Sequence, residues 1–293
     1  MKACNLCPKN CLVDREKFFG FCGAPSDIYV SKIMLHQWEE PCICGGAGAG
    51  TIFFSGCNLH CVYCQNSKIS HGKCGNILSA EQLKNEIFTL VGQGASCIEF
   101  VTPTHYTDKI AKILKDIKSD LPIPVVWNSG GYEKVEALKS LCGLVDIYMP
   151  DLKYFSSELS LKYSHASDYF VVAIAAIKEM LSQVGSPRFD ENGNLLSGVI
   201  VRHLVLPDCR RDSIELLSRL AEQVGADNII LSLMSQYTPD FYVESHPDCE
   251  YKNLARRITS FEYNSVLKKA RELGFDGYFQ DASSASAIYT PKF

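Results

Sequence analysis

Thr51-Ile52-Phe53-Phe54-Ser55-Gly56-Cys57-Asn58-Leu59-His60-Cys61-Val62-Tyr63-Cys64 is the stretch on which the reading of this chain turns. It opens as an apolar, β-prone run, breaks at a glycine, and then sets three cysteines at C-x3-C-x2-C spacing. A short apolar run closed by a turn residue reads as a buried strand, so the cysteines lie on the loop leaving it. Cysteine thiolates are the usual ligands of iron–sulfur clusters. Three of them leave one iron of a four-iron cubane without a protein ligand. That iron is open to a substrate or cofactor, as the open position of a catalytic metal site is.

Outward from this loop the pattern repeats. Strand-like runs recur at Cys97–Thr102, Val125–Asn128, Val145–Met149, Val199–Leu206 and Ile229–Leu233. Amphipathic helical stretches lie between them at Ala80–Val91, Thr107–Lys118, Lys134–Ser140, Asp168–Gln183 and Ser213–Val224, and a last one spans about Thr259–Leu273. Such alternation predicts an α/β fold, a parallel sheet with crossover helices. Six units are too few for a complete eight-stranded barrel, so a partial (β/α)6 barrel of the TIM type is expected over residues 51–293. Residues 1–50 read as a small Cys-rich, metal-binding N-terminal extension with one strand-like run at Ile28–Met34. The glycine-rich Gly45–Gly50 connects it to the barrel.

Barrels of this kind carry their chemistry at the C-terminal ends of the strands. Besides the cysteine loop, the exits read Pro103-Thr104-His105-Tyr106, Ser129-Gly130-Gly131-Tyr132, Pro150-Asp151-Leu152-Lys153, Pro207-Asp208 and Met234-Ser235-Gln236-Tyr237. Asp151 and Lys153 stand two apart on an extended strand and so point to one side. Arg202 interrupts an apolar strand, and its planar fork suits a carboxylate.

Fourteen cysteines in 293 residues are too many for incidental use, and nine of them fall within the first 64. The start of the chain has no apolar core of a secretory signal, and no run of 18 apolar residues occurs. A cytoplasmic protein without a membrane partner is expected. Thiols clustered in a reducing compartment point to metals or catalysis rather than disulfides. Cys4, Cys7, Cys11 and Cys22 supply four sulfurs, enough to close the coordination of zinc or mononuclear iron or to hold a second iron–sulfur cluster. Cys74, Cys97, Cys142, Cys209 and Cys249 stand singly and read as small buried hydrophobes. Cys42 and Cys44 read as incidental. The net charge of −4, with no Lys/Arg-rich tract, predicts no nucleic-acid partner.

Ser55-Gly56-Cys57 through Cys64-Gln65-Asn66 resembles the signature of the radical S-adenosylmethionine (SAM) enzymes. The resemblance extends along most of the chain to a subgroup related to the pyruvate formate-lyase activating enzymes. Its further marks are Cys4-Asn5-Leu6-Cys7-Pro8, Glu39-Glu40-Pro41, Thr51–Ser55, Thr102–Tyr106, Arg202–Pro207 and Met234–Tyr237. It implies a 4Fe–4S cluster on Cys57, Cys61 and Cys64, with SAM chelated at the open iron. Reductive cleavage of SAM then gives a 5′-deoxyadenosyl radical that abstracts hydrogen.

The resemblance also implies roles for single residues. Tyr63 is expected near the adenine and Arg202 at the SAM carboxylate. Asp151 and Lys153 resemble the Asp-x-Lys element that lies beside SAM and the target peptide in activating enzymes. The family's Gly-Gly-Glu motif is missing, and Thr102-Pro103-Thr104-His105 stands in its place. Thr104 is then a substitute acceptor, and His105 an acceptor or proton carrier. Asn128 and Ser129 are expected at the ribose or methionine moiety. The expected activity is hydrogen abstraction from a glycine of a partner enzyme, with an electron donor of flavodoxin or ferredoxin type. Two alternatives stand beside it: a radical SAM enzyme acting on a small molecule or a protein side chain, and a non-catalytic iron–sulfur or electron-transfer protein.

Overall fold

The structure, a computed structural model, describes residues 3–71, 74–245, 248 and 250–280. In chain order the elements are β1 (Ile28–His36), β2 (Ala49–Phe54), α1 (Ser67–Ser70), β3 (Asn76–Leu78), α2 (Ala80–Gly92), β4 (Ile98–Val101), α3 (Thr107–Ile117), β5 (Val125–Ser129), α4 (Val135–Lys139) and β6 (Ile147–Pro150). They continue with α5 (Ser157–Ser164), α6 (Tyr169–Val184), β7 (Arg188–Phe189), β8 (Leu195–Leu204), α7 (Arg210–Val224), β9 (Ile230–Met234), α8 (Asp240–Ser245), α9 (Ser260–Glu272) and β10 (Gly277–Phe279).

The sheet runs β10-β9-β8-β6-β5-β4-β2-β1-β3. From β2 to β10 along this order every pairing is parallel. β1 and β3 extend it antiparallel at one edge, and β7 pairs antiparallel with β8. The two ends do not pair with each other among the described residues, so the barrel is open. All six expected barrel strands are present in the expected order. A seventh parallel strand, β10, was not expected, because three residues carry no readable period. β1 lies among the residues read as the extension and pairs with β2, Leu35 opposite Gly50.

Strands β2, β4, β5, β6 and β9 are buried at every residue, as strands covered on both faces must be. One face, with Ile52, Trp127, Tyr148, Val199, Val201 and Leu231, packs on the helices in the main core. α3 shows the reciprocal stripe, burying Ile110, Ile113, Leu114 and Ile117. Capping boxes start two of these helices, Ser79 with Gln82 on α2 and Thr259 with Glu262 on α9.

The other face carries a separate apolar cluster of Val126, Ile147, Met149, Ile200 and Ile230, closed by Cys42, Ile43 and Ala49. The two-residue period of a strand puts Asn128, Asp151, Arg202 and Met234 on that same face, further along the strands. The barrel therefore has an apolar floor below and a polar layer above it, toward the C-terminal strand ends.

Of the singly placed cysteines, Cys97 and Cys209 are buried and Cys74 is half-buried. Cys142 departs from the expectation: it is exposed, in the turn that follows α4. Cys249 lies outside the described residues. No helix of the described residues is long and apolar enough to cross a membrane.

Candidate active site

The loop after β2 turns at Gly56, whose φ is +89° and where a Cβ would come within 2.6 Å of the Cys22 carbonyl. Only glycine allows that approach. It lets Cys57 N–H donate to Cys22 O at 3.1 Å, tying the extension to the cysteine loop. Cys57, Cys61 and Cys64 then all line one cavity at the C-terminal strand ends, of about 1210 Å³ counting its open mouth.

Burial, and then repulsion from the neighbouring sulfurs, pushes the Cys57 thiol up to about 12 and the Cys64 thiol up to about 11. Empty, these two thiols hold their protons; a bound metal displaces them. Donors already reach the sulfurs: Leu59 N–H of the loop meets Cys57 Sγ at 3.4 Å, and Ser164 Oγ at the end of α5 meets Cys61 Sγ at 2.9 Å. Asn66 Oδ1, at the cavity wall, is buried with no partner among the described residues, an acceptor awaiting a ligand. Gly130 leaves room that a Cβ would fill, 2.8 Å from Leu59 Cδ1. The residues present fit a cluster with a bound polar cofactor beside it.

The same cavity is also lined by charged side chains. Asp151 divides its carboxylate between Lys153 Nζ at 2.6 Å and Arg202 Nε at 3.2 Å. Arg202 also reaches Glu39 Oε2 at 3.3 Å, from the segment after β1. Burial pushes the Asp151 carboxyl up, but Lys153 and Arg202 outweigh it and hold the group below its usual range. Glu39 moves the other way: burial, then repulsion by Glu99, raises it well above the usual carboxylate range against the pull of Arg202. Glu99 in turn accepts from Asn128 Nδ2 at 2.7 Å and Thr51 Oγ1 at 2.9 Å.

Tyr63, Asn128, Ser129, Asp151, Lys153 and Arg202 thus reach the cavity as expected from their positions in the chain. Thr104 and His105 do not. Thr102 takes a φ of +57°, and the chain then winds into a short 3-10 helix, Thr104–Tyr106, that folds both residues away. Thr104 Oγ1 donates to Glu133 at 3.0 Å, and His105 Nε2 meets Ser55 O at 2.8 Å. Thr102 itself lines the cavity in their stead. A β-branched residue in the left-handed region goes against propensity, so no sequence signal announced it. Gln65, Asn66, Gln236 and Thr238 also line the cavity. Of these only Gln236 stood in a polar strand exit flagged from the sequence.

The N-terminal cysteines form a knuckle. Cys4 N–H donates to Val13 O and Leu12 N–H to Cys4 O, at 2.8 and 2.9 Å. Phe21 N–H donates to Cys11 Sγ at 3.2 Å. The Cys7 thiol is pushed up to about 11 by burial and then by its neighbours Cys22, Cys11 and Cys4. Among the described residues no three or more Cys, His, Asp or Glu side chains converge as ligands of a single ion. A cubane does not ask for such convergence, because each thiolate holds a different iron.

Two comparisons bear on this site. The profile of the radical SAM superfamily matches residues 51–190, which span the cysteine loop and the first four parallel strands. An uncharacterized protein of Methanocaldococcus jannaschii is 32% identical over 289 residues, covering 94% of this chain and 76% of that protein. The chain belongs to the radical SAM superfamily. Solved structures with a similar fold include methylornithine synthase, at TM-score 0.51 and 15% identity over 78% of this chain and 66% of that one. The [FeFe]-hydrogenase maturase HydG matches at TM-score 0.51 and 15% identity, over 78% of this chain and 50% of that one. Streptococcus suis SuiB bound to its precursor peptide SuiA matches at 0.50 and 14%, over 77% of this chain and 46% of that one. The chain thus spans 46–66% of these structures, and at such identities the likeness is one of fold.

Proposed function

We propose that this radical SAM protein is an enzyme that cleaves SAM reductively and uses the resulting radical to take hydrogen from a glycine of a partner protein, as the pyruvate formate-lyase activating enzymes do. The observation that carries the radical reading is one cavity lined both by three cysteine thiols and by Asp151, Lys153 and Arg202. Cys57, Cys61 and Cys64 would hold the 4Fe–4S cluster. When bound, cluster and SAM supply an electron and, on cleavage of the sulfonium, a 5′-deoxyadenosyl radical.

The chain's own residues bind and shield. Arg202 spends Nε on Asp151 and Nη1 on Glu39, which leaves the N–H groups of Nη2 for the SAM carboxylate. Asn66 Oδ1 offers an acceptor for the ammonium. Tyr63 presents its ring to the adenine. Leu59, Val101, Leu204 and Met234 line the cavity with apolar surface that excludes water from a reactive intermediate. The pairing of Asp151 with Lys153 supports the glycine substrate, because both side chains of the Asp-x-Lys pair line this cavity. Cys4, Cys7, Cys11 and Cys22 would hold a second iron–sulfur cluster, the one of the expected groups that does not need several ligands on a single ion. A flavodoxin or ferredoxin would deliver the electron. Free thiols and a reducible cluster suit the cytoplasm.

The test is anaerobic. Protein reconstituted with iron and sulfide is given dithionite and SAM, and 5′-deoxyadenosine is measured for the wild type and Cys61→Ala. Product that depends on Cys61, with iron retained at the N-terminal cysteines of the variant, is the expected result. No product from a fully reduced cluster to which SAM binds by titration would overturn the enzymatic reading.

A further inference from the structure

Arg202 has more acid around it than it can neutralise. Four carboxyls act on its guanidinium: Asp151 from the exit of β6, Glu39 and Glu40 from the segment after β1, and Glu99 from β4. Among the described residues, Arg202 and Lys153 are the cations within ion-pair distance of this group, and Lys153 is taken up by Asp151. The other titratable neighbours of Glu39 carry no charge to offset it. His36, whose Nε2 lies 3.6 Å from Glu39 Oε1, is kept neutral by burial, by Arg202 and by Lys32 beyond it. The Cys97 thiol, just before β4, is held protonated by burial and by Glu99 and Glu39 themselves. Carboxylates that crowd one site cannot all ionise freely, so a proton is shared among them.

The contacts say which carboxyl holds that proton most readily. Asp151 has two cationic partners and keeps its charge. Glu99 accepts from Asn128 Nδ2 and from Thr51 Oγ1, and both bonds favour its charged form. Glu40 Oε2 is buried without a partner among the described residues, but Glu40 does not touch Arg202. Glu39 does touch Arg202, through Nη1 at 3.3 Å, and this is the hydrogen bond that supports its charge. Arg202 and Asp151 line the cavity, whereas Glu39, Glu40 and Glu99 are not among the lining residues. A carboxylate bound in the cavity at Arg202 would therefore share one guanidinium with Glu39, without touching it.

We propose that Glu39 is a positioning residue that takes up a proton as the carboxylate of SAM settles on Arg202, so that affinity for the cofactor depends on the charge of a group the cofactor does not touch. The inference rests on the function proposed above and deepens it. A second anion on the same guanidinium weakens the hold of Arg202 on Glu39 and raises the proton affinity of Glu39. The linkage is reciprocal: a proton on Glu39 strengthens binding of the carboxylate by the same factor. The sign follows. Burial and Glu99 already place the Glu39 carboxyl well above the ordinary 4.5. Below its folded value Glu39 is neutral and leaves Arg202 to the cofactor. As pH rises through that value, Glu39 becomes an anion and competes.

The experiment is an equilibrium titration of SAM into the anaerobically reconstituted full chain, with the cluster kept oxidised so that SAM binds and is not cleaved. Wild type, Glu39→Gln and Glu40→Gln are compared from about pH 6 to about pH 9, a window above the ordinary range of a glutamate, with iron and sulfide measured in each. Taking the ratio of affinities at each pH cancels the titration of SAM itself and of the groups the proteins share. Glu39→Gln is a fixed stand-in for protonated Glu39. It should match the wild type at the acid end and bind SAM about tenfold more tightly at the alkaline end. A gain of affinity is the signature, because a residue that merely held Arg202 in place would lose affinity when changed. Weaker binding of Glu39→Gln at every pH, or a ratio that does not change with pH, would overturn the linkage. So would a gap produced by Glu40→Gln and not by Glu39→Gln, which would put the proton on Glu40. A wild type that takes up no cluster, or that binds no SAM with a full one, would instead overturn the proposed function, and the linkage with it.

Discussion

Asp151→Asn tests the charged wall directly. Asp151 holds Lys153 through one oxygen and Arg202 through the other, at 2.6 and 3.2 Å. The three side chains are only 17–20% exposed, so the ion pairs are partly shielded from water. The amide keeps the shape and removes the charge. Arg202 still has Glu39 at 3.3 Å, whereas no other ion-pair partner of Lys153 is found among the described residues. Removing one partner of a buried ion pair costs about 3–5 kcal/mol. The lower part of that range is expected here. Burial alone lowers the Lys153 pKa, and without Asp151 the lysine can shed its proton rather than stay charged.

The assay is anaerobic urea unfolding followed by fluorescence of Trp127, which is fully buried. With a slope of about 3 kcal/mol per molar urea, a loss of ~3 kcal/mol moves the midpoint down by about 1 M. A midpoint within ~0.2 M of the wild type would show that the pair contributes nothing net. The pH dependence checks the cause. The folded-state pKa of Asp151 is depressed below the ordinary 3.8, so its contribution is whole above 3.8 and is lost as pH falls through the folded value. Wild type and variant should converge in acid. A gap that persists there would mean that the amide disturbs packing rather than charge.

Gly131 and Gly130 should respond differently to alanine. At Gly131, with φ +74°, a Cβ would come within 2.1 Å of the Asp151 carbonyl, and backbone cannot step aside. Gly131→Ala should therefore lose ~3 kcal/mol or more, whereas Gly130→Ala pushes only on the end of Leu59 and should lose about 1–2 kcal/mol. Thermal melts that ranked the two in reverse would contradict this backbone geometry. His105 supplies a second pH test. Burial, and then Arg15, push its imidazole from 6.5 down to about 3, so its stabilising share is present above 6.5 and is lost as pH falls toward 3. Between pH 7 and 5 that share shrinks by about 2 kcal/mol. His105→Gln, whose amide can still donate to Ser55 O, should flatten the fall. Equal slopes in the two proteins would rule out a neutral buried His105.

The parts of this site that were legible in the sequence are those whose partners are close in the chain or set by a period. The three cysteines share one eight-residue loop, and their spacing shows them without any knowledge of packing. The barrel strands were legible because burial on both faces leaves continuous apolar runs; a strand exit located Asp151 and Lys153, and the break it makes in an apolar run located Arg202. The misplacement of Thr104 and His105 came from one residue, Thr102, held in a conformation that local preference opposes. Residues held in such conformations cluster where a site is being shaped, and Thr102 lines the cavity.

What the sequence hid lies further apart. Glu39 meets Arg202 across 163 residues, Ser164 meets Cys61 across 103, and Tyr154 meets Tyr63 across 91. α5, which delivers Ser164, has a weak apolar stripe and was not read as a helix, so its end could not be placed beside the cysteine loop. These long-range contacts are the ones that bear on charge at Arg202 and on hydrogen bonding at Cys61. They add no ligand to the cluster and no group to the cofactor. The kind of reaction is therefore written in a local motif, while its energetics depend on tertiary contacts that the motif does not contain. A chain could keep all three cysteines and lose the hydroxyl at position 164. It would keep the three sulfurs of the loop while losing the hydrogen bond that Ser164 gives Cys61 Sγ.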